Sequence, residues 1–385
     1  MSWNNIIGQR RAKNILQRAI IENRVAHAYC FLGIEGIGKD ALAIEFAKTV
    51  NCEKPLQTET TVDACGVCKS CLQAASLQHP NIRLLFSLPA GKSGSAKDDD
   101  SPFLKMSDDQ IRAIQEQMAL KAEDPYHNIT IPNASQIRIA AVRDVKKSIT
   151  MSASQSGRRV VIISEADEMT AEAANAFLKT LEEPNANITL IMTSSKKGQL
   201  LQTILSRCQQ INCDPLTDDE VTEALVALKH IPAEEAKLVA SFAQGSFSKA
   251  LEFLDEDMRQ LRQDVVDLLR TALKPRGYRS ELLHQLGNFA GEKDRTKVEM
   301  MLTLLMMWVR DAYSLAMTNN PAHLVNGDQQ ETFERFNVRF GKTDFPGVLK
   351  AIEEAIMHIK RNVHIQLALL TLCISCRRYF LGRSV

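Results

Sequence analysis

The 385-residue sequence predicts a doubly wound α/β module with a mostly parallel sheet, followed by an all-helical C-terminal part. Three observations carry this. A strand, a glycine-rich loop and a helix follow one another over 28–50. Strands and amphipathic helices then alternate through 160–213. Beyond Cys213 the periodic segments have the 3.6-residue spacing of helices. At ~100–200 residues per domain the chain should divide into two or three, and we place the boundaries at 1–214, 215–256 and 257–385.

Ala28-Tyr29-Cys30-Phe31-Leu32 is an apolar run that reads as a buried strand, and Ala41 to Val50 carries helical spacing at Leu42, Ile44, Phe46, Ala47 and Val50. Between them, Gly33-Ile34-Glu35-Gly36-Ile37-Gly38-Lys39-Asp40 follows the G-x-x-x-x-G-K-[ST] spacing of a phosphate-binding loop. In such a loop backbone N–H groups cradle phosphates, lysine reaches the terminal ones and a hydroxyl completes the Mg²⁺ shell. Gly33, Gly36, Gly38 and Lys39 are therefore expected nucleotide contacts. Asp40 stands where the hydroxyl belongs. Like charges 4 Å apart cost about 1 kcal/mol in water and about 4 kcal/mol at an effective dielectric of 20, so ATP should bind poorly, although an aspartate can itself ligate Mg²⁺.

Cys52, Cys65, Cys68 and Cys71 come next, spaced C-x₁₂-C-x₂-C-x₂-C. Four thiolates match the closed tetrahedral shell of a structural Zn²⁺. An iron–sulfur cluster is the competing reading, but the bacterial run needs a further cysteine three residues on and then proline, where this chain has Leu72-Gln73-Ala74-Ala75. Nine cysteines, an odd number, fit metal binding in a reducing compartment better than disulfides. Cys30, Cys213, Cys373 and Cys376 lie in apolar contexts and read as buried small side chains.

The stretch 79–132 reads as an insertion. Ala90 to Pro102 has the composition of a loop; Ser107-Asp108-Asp109-Gln110 is a capping box before a helix with Ile111, Ile114 and Met118 on its apolar face. No chemistry is legible in it, and a surface decoration or partner contact is the expectation.

Val160-Val161-Ile162-Ile163 resembles the strand that ends, in P-loop ATPases, in a Mg²⁺-holding acid followed by one that polarises water. Ser164 takes the first place and Glu165 the second; an alternative register would use Asp167 and Glu168. A helix from Ala171 to Glu183 ends before Pro184, and a third strand, Ile188 to Met192, delivers Thr193-Ser194-Ser195 to the sheet edge where α/β folds bind ligands.

The run from Ala174 to Pro184 (Ala-Asn-Ala-Phe-Leu-Lys-Thr-Leu-Glu-Glu-Pro), with Ile204-Leu205-Ser206-Arg207-Cys208 after it and Ile7-Gly8-Gln9 and Arg24 to Ala28 before it, resembles the AAA+ clamp-loader subunits of bacterial DNA polymerase III. The resemblance implies an AAA+ module over 1–214 with a zinc insertion at 52–71, a small helical lid over 215–256 and a helical collar over 257–385. It implies that Arg207 acts as an arginine finger on the triphosphate held by a neighbouring subunit, worth ~10³–10⁵ in rate. A plainer role for Arg207 is to cap the C-terminal end of a helix at 198–206. Gamma-type members place a nucleotide-sensing arginine near Ser248; here Lys249 is the nearest cation. The implied partners are delta and gamma/tau subunits in a five-membered ring, the sliding clamp and primed DNA.

Thr217-Asp218-Asp219-Glu220 is a second capping box, Pro232 suits a first helical turn, and Ser246 can cap Phe247 to Leu254. Val298 to Leu315 and Phe345 to Leu370 have amphipathic helical patterns, and Arg377 and Arg378 read as a solvated face. Asp40, Ser164 and the absent sensor arginine together favour a non-hydrolysing delta-prime-type subunit; the alternative is a gamma/tau-like ATPase. A net charge of +1 gives no global footprint for nucleic acid, which disfavours a zinc-dependent DNA-binding regulator. The N-terminus has no signal-peptide pattern and no run approaches the ~20 apolar residues of a membrane span, so a cytoplasmic protein is expected.

Overall fold

The computed structural model describes residues 2–89, 102–150, 157–183, 187–254, 258–291, 295–341, 343–361 and 363–382. Pro184 and nearly all of the Ala90 to Pro102 loop lie outside them. The chain forms two compact units, Met1–Ala250 and Leu251–Val385.

In the first unit helix α1 (Arg10–Ile21) precedes strand β1 (Ala28–Leu32) and helix α2 (Lys39–Val50). A small hairpin, β2 (Leu56–Gln57) and β3 (Val62–Asp63), leads to α3 (Lys69–Ala75) and β4 (Ile82–Leu85). Then come α4 (Asp108–Glu123), α5 (Ile139–Thr150), β5 (Arg159–Ile163), α6 (Ala171–Glu182), β6 (Ile188–Ser194), α7 (Gln202–Leu205) and β7 (Gln209–Asn212). Helices α8 (Asp218–Lys229), α9 (Ala233–Ala243) and the first turn of α10 (Phe247–Leu254) complete it.

The main sheet is all-parallel in the order β4-β5-β6-β1-β7. In the central strands β5, β6 and β1 both faces are buried. Tyr29 and Phe31 pack into one core with Leu42 and Phe46 of α2, while Ala28, Cys30 and Leu32 pack into the other with Val142 of α5 and Phe177 of α6. Phe31 pairs with Thr193 and Leu32 with Ser194, and Ile163 pairs with Met192. That register sets the carboxyl ends of β1, β5 and β6 side by side, which positions the site. The parallel α/β module is the one the sequence predicts.

One expected element of this unit differs. Instead of a helix over 198–206 there is a 3-10 turn at Lys197–Gln199 and the single-turn α7, because Leu200 and Leu201 are extended (ψ 141° and 131°) and turn toward the core.

The second unit is helical: α11 (Met258–Ala272), α12 (Tyr278–Gly291), α13 (Arg295–Thr318), α14 (Gln330–Phe340), α15 (Phe345–Lys360) and α16 (Ile365–Leu381). Helix α13 is its spine, burying Met301, Leu305, Trp308 and Ala312. The Phe345 to Leu370 pattern is divided between α15 and α16, with a break after Arg361, the C-cap of α15. Arg377 corrects the expectation of a solvated pair. Its guanidinium stacks 3.6 Å from the Tyr278 ring centre and donates to the carbonyls of Ala272 and Lys274, closing the end of α11, while Arg378 is exposed.

Candidate functional site

The loop between β1 and α2 has a P-loop's backbone. Gly36 and Gly38 adopt φ +77° and +93°, a region L side chains rarely enter, and Gly33 N–H donates to Ser194 O (3.2 Å). Lys39 is buried and turned back on its own loop. Its ammonium donates to the carbonyls of Gly33 (3.1 Å) and Ile34 (3.0 Å) and pairs with Glu165 Oε1 at 3.2 Å.

Asp40 is equally engaged. Ser164 Oγ donates to one carboxylate oxygen (2.6 Å) and Thr193 Oγ1 to the other (2.8 Å). The third partner comes from α4: the Lys121 ammonium lies 3.3 Å from Asp40 Oδ2, with the lysine side chain only 2% exposed. Burial opposes ionisation of Asp40, but Lys121 and the two hydroxyls outweigh it and hold the carboxyl below its usual range.

Glu165 has a left-handed backbone (φ +46°) and accepts from Ser195 N (3.0 Å) and Oγ (2.7 Å). Burial pushes its carboxyl up, against Lys39 and Ser195. Asp167 and Glu168 turn elsewhere, accepting from Ser194 and Ser87. Thus Gly33, Gly36, Gly38, Lys39, Asp40, Ser164, Glu165 and Thr193 do converge, and they converge on one another.

The 79–132 segment is more than a surface decoration, which corrects the sequence expectation. The turn after α4 lies across the loop. Tyr126 covers Gly38 so closely that a Cβ there would come within 2.8 Å of the ring. Its hydroxyl accepts from Ile7 N (2.7 Å), its carbonyl from Ser248 Oγ (2.9 Å), and its ring meets Phe247 edge-on at 5.0 Å. Ser248, at the position implied for a sensor arginine, therefore bonds to this turn, and both Phe247 N and Ser248 N donate to Gly36 O (3.0 and 3.3 Å). The remaining cleft is a small one, bounded by Lys39, Asp40, Lys121, Tyr126, Glu165 and Ser248. Sequence reasoning missed Lys121 and Tyr126. The available signal was Lys121 itself, in register with Ile111, Ile114 and Met118 on the apolar face of α4.

Arg207 sits after α7 with its side chain 35% exposed. It donates to Thr203 O (2.9 Å), the helix-end contact anticipated as its plainer role, and pairs with Glu182 Oε1 at 2.7 Å.

The cysteines form a separate cluster. The Sγ atoms of Cys52, Cys65, Cys68 and Cys71 all lie within 4.8 Å of one another, with Cys65 and Cys71 3.9 Å apart. A tetrahedron with Zn–S bonds of about 2.3 Å has edges of about 3.8 Å, so the donor set fits that ion. Backbone N–H groups of Cys65, Cys68 and Cys71 point at the sulfurs of Cys52, Cys65 and Cys68 (3.2, 3.4 and 3.4 Å). Donation from the Val67 and Cys68 backbones lowers the Cys65 thiol to about 6, while burial raises Cys52 and Cys71.

With this geometry in hand, residues 8–217 match the family model described as "DNA polymerase III, delta subunit". The chain belongs to this family. It is 26% identical over 360 residues to the delta' subunit of DNA polymerase III from Bacillus subtilis, covering 93% of each chain. The delta' subunit of Pseudomonas aeruginosa is 31% identical over 250 residues, 65% of this chain and 62% of that one. The tau subunit of Bacillus subtilis is 26% identical over 259 residues, 66% of this chain and 37% of its own. Among solved structures, a gamma subunit-related protein of Thermotoga maritima aligns over 95% of this chain and 98% of that one, at a TM-score of 0.42 and 16% identity. The parallel-sheet module and the helical C-terminal part are those the sequence predicts. Among the described residues, no helix is long and apolar enough to cross a membrane.

Proposed function

We propose that this chain serves in a clamp loader as a delta-prime-type subunit that does not hydrolyse ATP and offers Arg207 to the triphosphate held by a neighbour. The observation that carries the reading is the saturation of its own site. Lys39, which should reach the terminal phosphates, is bound to two loop carbonyls and Glu165, and Asp40 is held by Ser164, Thr193 and Lys121. Mg-ATP would have to break these contacts and accept the Asp40 carboxylate beside its phosphates. Glu165, which would polarise a water, is committed to Lys39 and Ser195.

Arg207 is placed differently. Its pair with Glu182 joins two partly solvated side chains, and exposed pairs are worth about 0–1 kcal/mol, so a neighbour's phosphate could take the guanidinium at small cost. The delta' and tau names of the relatives support membership in such a complex. Ring partners would be delta and gamma/tau, acting on a sliding clamp and primed DNA. The four cysteines would hold a structural Zn²⁺, leaving no open position for substrate chemistry.

The test is Arg207→Ala in a reconstituted loader. Assembly should survive, and hydrolysis at the interface this chain completes should fall by ~10³–10⁵. Unchanged turnover at every interface would remove the assignment.

A further inference from the structure

The helix and turn at 108–128 reach the P-loop at three residues, Asp40 through Lys121, Gly38 through Tyr126 and Glu35 through Asn128. Five contacts to other parts of the chain, and two within the segment, hold the turn in place. Lys121 pairs with Asp40 (3.3 Å) and also donates to His127 O (2.8 Å), fixing the helix end to the turn that follows. Tyr126 binds Ile7 N–H through its hydroxyl and Ser248 through its carbonyl. Asn128 Nδ2 reaches Glu35 on the loop itself at 3.4 Å. Asp124 pairs with Lys229 of α8 at 3.2 Å. Tyr126 N donates to Asp124 Oδ1 (2.9 Å), which rigidifies the turn between them. The aromatic ring then lies on Gly38, where only a residue without a Cβ can pass beneath it.

We infer that the segment Lys121–Asn128 is an internal plug that closes the phosphate loop, with the Lys121 ammonium standing beside Asp40 as a built-in cation where a nucleotide-bound metal would otherwise be needed. The inference rests on the degenerate-site reading and deepens it: Asp40 and Lys121 form one unit. A buried carboxylate at this position needs a cation, and a buried ammonium needs a carboxylate. Asp40 thus makes the plug stable as well as disfavouring phosphate. It follows that restoring the P-loop motif alone does not reopen the site, because it leaves Lys121 buried without its partner and Tyr126 still lying on the loop.

The experiment compares three full-length chains by titration with a fluorescent ATP analogue and Mg²⁺, each first checked for a cooperative thermal transition. The first is the wild type. The second carries Asp40→Thr and Ser164→Asp, which rebuild the metal-binding pair. The third adds Lys121→Met and Tyr126→Ala. Removing both members of a buried ion pair together is far milder than removing one, but Tyr126→Ala also empties a buried aromatic site, so the comparison uses the third chain where its thermal transition is cooperative. The second chain is expected to bind no better than the wild type within about threefold, and the third to gain at least about tenfold over the second. If the second binds as tightly as the third, or if the folded third gains nothing, the plug is overturned while the degenerate-site reading stands. Tight Mg-ATP binding by the wild type would instead overturn that underlying reading. A second measurement does not depend on the rebuilt motif: backbone amides of Gly36 to Lys39 should exchange with deuterium slowly in the wild type and at least about tenfold faster in Tyr126→Ala. Equal exchange in the two would contradict the plug.

Discussion

The P-loop cleft and the four-cysteine cluster both gather ionisable side chains from distant segments, and they end in opposite charge states. In the cleft each acid has its own cation: Glu165 faces Lys39 and Asp40 faces Lys121. In the cysteine cluster the sulfurs are met by backbone N–H groups, which can steady negative charge but cannot cancel it. A buried site whose charges already balance gains little from Mg-ATP. A set of four soft donors at tetrahedral spacing gains most from an ion. The contrast sets a site whose charges are already paired against a donor set whose charges are not, and it can be tested from either side.

The largest effect should come from the cysteines. Structural zinc in small finger peptides contributes roughly 10–16 kcal/mol of apparent binding at neutral pH. Elemental analysis should find one zinc per chain. After Cys71→Ser or strong chelation, exchange should accelerate across 52–75 while the amides of β1, β5 and β6 stay protected. A folded, protected cluster with no metal would break the contrast.

Next is Lys121→Met, which strands the Asp40 carboxylate in the cleft. Breaking one partner of a buried pair costs about 3–5 kcal/mol, readable as a lower denaturant midpoint near pH 7. The pH dependence has a definite sign. In the wild type the folded-state pKa of Asp40 lies below the ordinary aspartate value of about 3.9, so its contribution is present above that value and is lost as pH falls through the lower, folded one. In the variant Asp40 lacks its strongest opposing charge and protonates more readily, so the deficit relative to wild type should shrink as pH drops below about 4. A deficit that stays constant from pH 7 to pH 3 would mean that Lys121 acts through packing alone.

These two regions also show what was legible in the sequence. The cysteine spacing carried its own geometry, and the strands Ala28–Leu32 and Arg159–Ile163 were readable because their apolar runs are local and buried on both faces. The degenerate loop was readable at Asp40 and Ser164, since each occupies a numbered place in a motif. The closure of that loop was not. It depends on Lys121 meeting a carboxylate far away in the chain, and on a Tyr126 ring whose partners are Ile7, Gly38 and Ser248, none of which pattern or propensity connects. Arg377 was misread for the same reason, its carbonyl partners lying on α11 and just beyond it, more than a hundred residues earlier.

The smallest effect belongs to Glu182. Its pair with Arg207 is half in solvent, with the glutamate side chain 50% exposed, so Glu182→Gln should change stability by less than about 1 kcal/mol. In an assembled loader the same substitution should leave hydrolysis intact or raise it slightly, because the guanidinium is freed for a neighbour's phosphate. A collapse of turnover to the level of Arg207→Ala would mean that Glu182 positions the arginine and is no mere resting partner.

The most direct test of the central claim is calorimetric titration of Mg-ATP into the purified full-length chain. A site filled by Lys121, Tyr126 and its own ion pairs predicts no saturable heat up to millimolar nucleotide, that is, binding weaker than about −4 kcal/mol. A stoichiometric isotherm at micromolar affinity, with ATP turned over by the single chain, would contradict it.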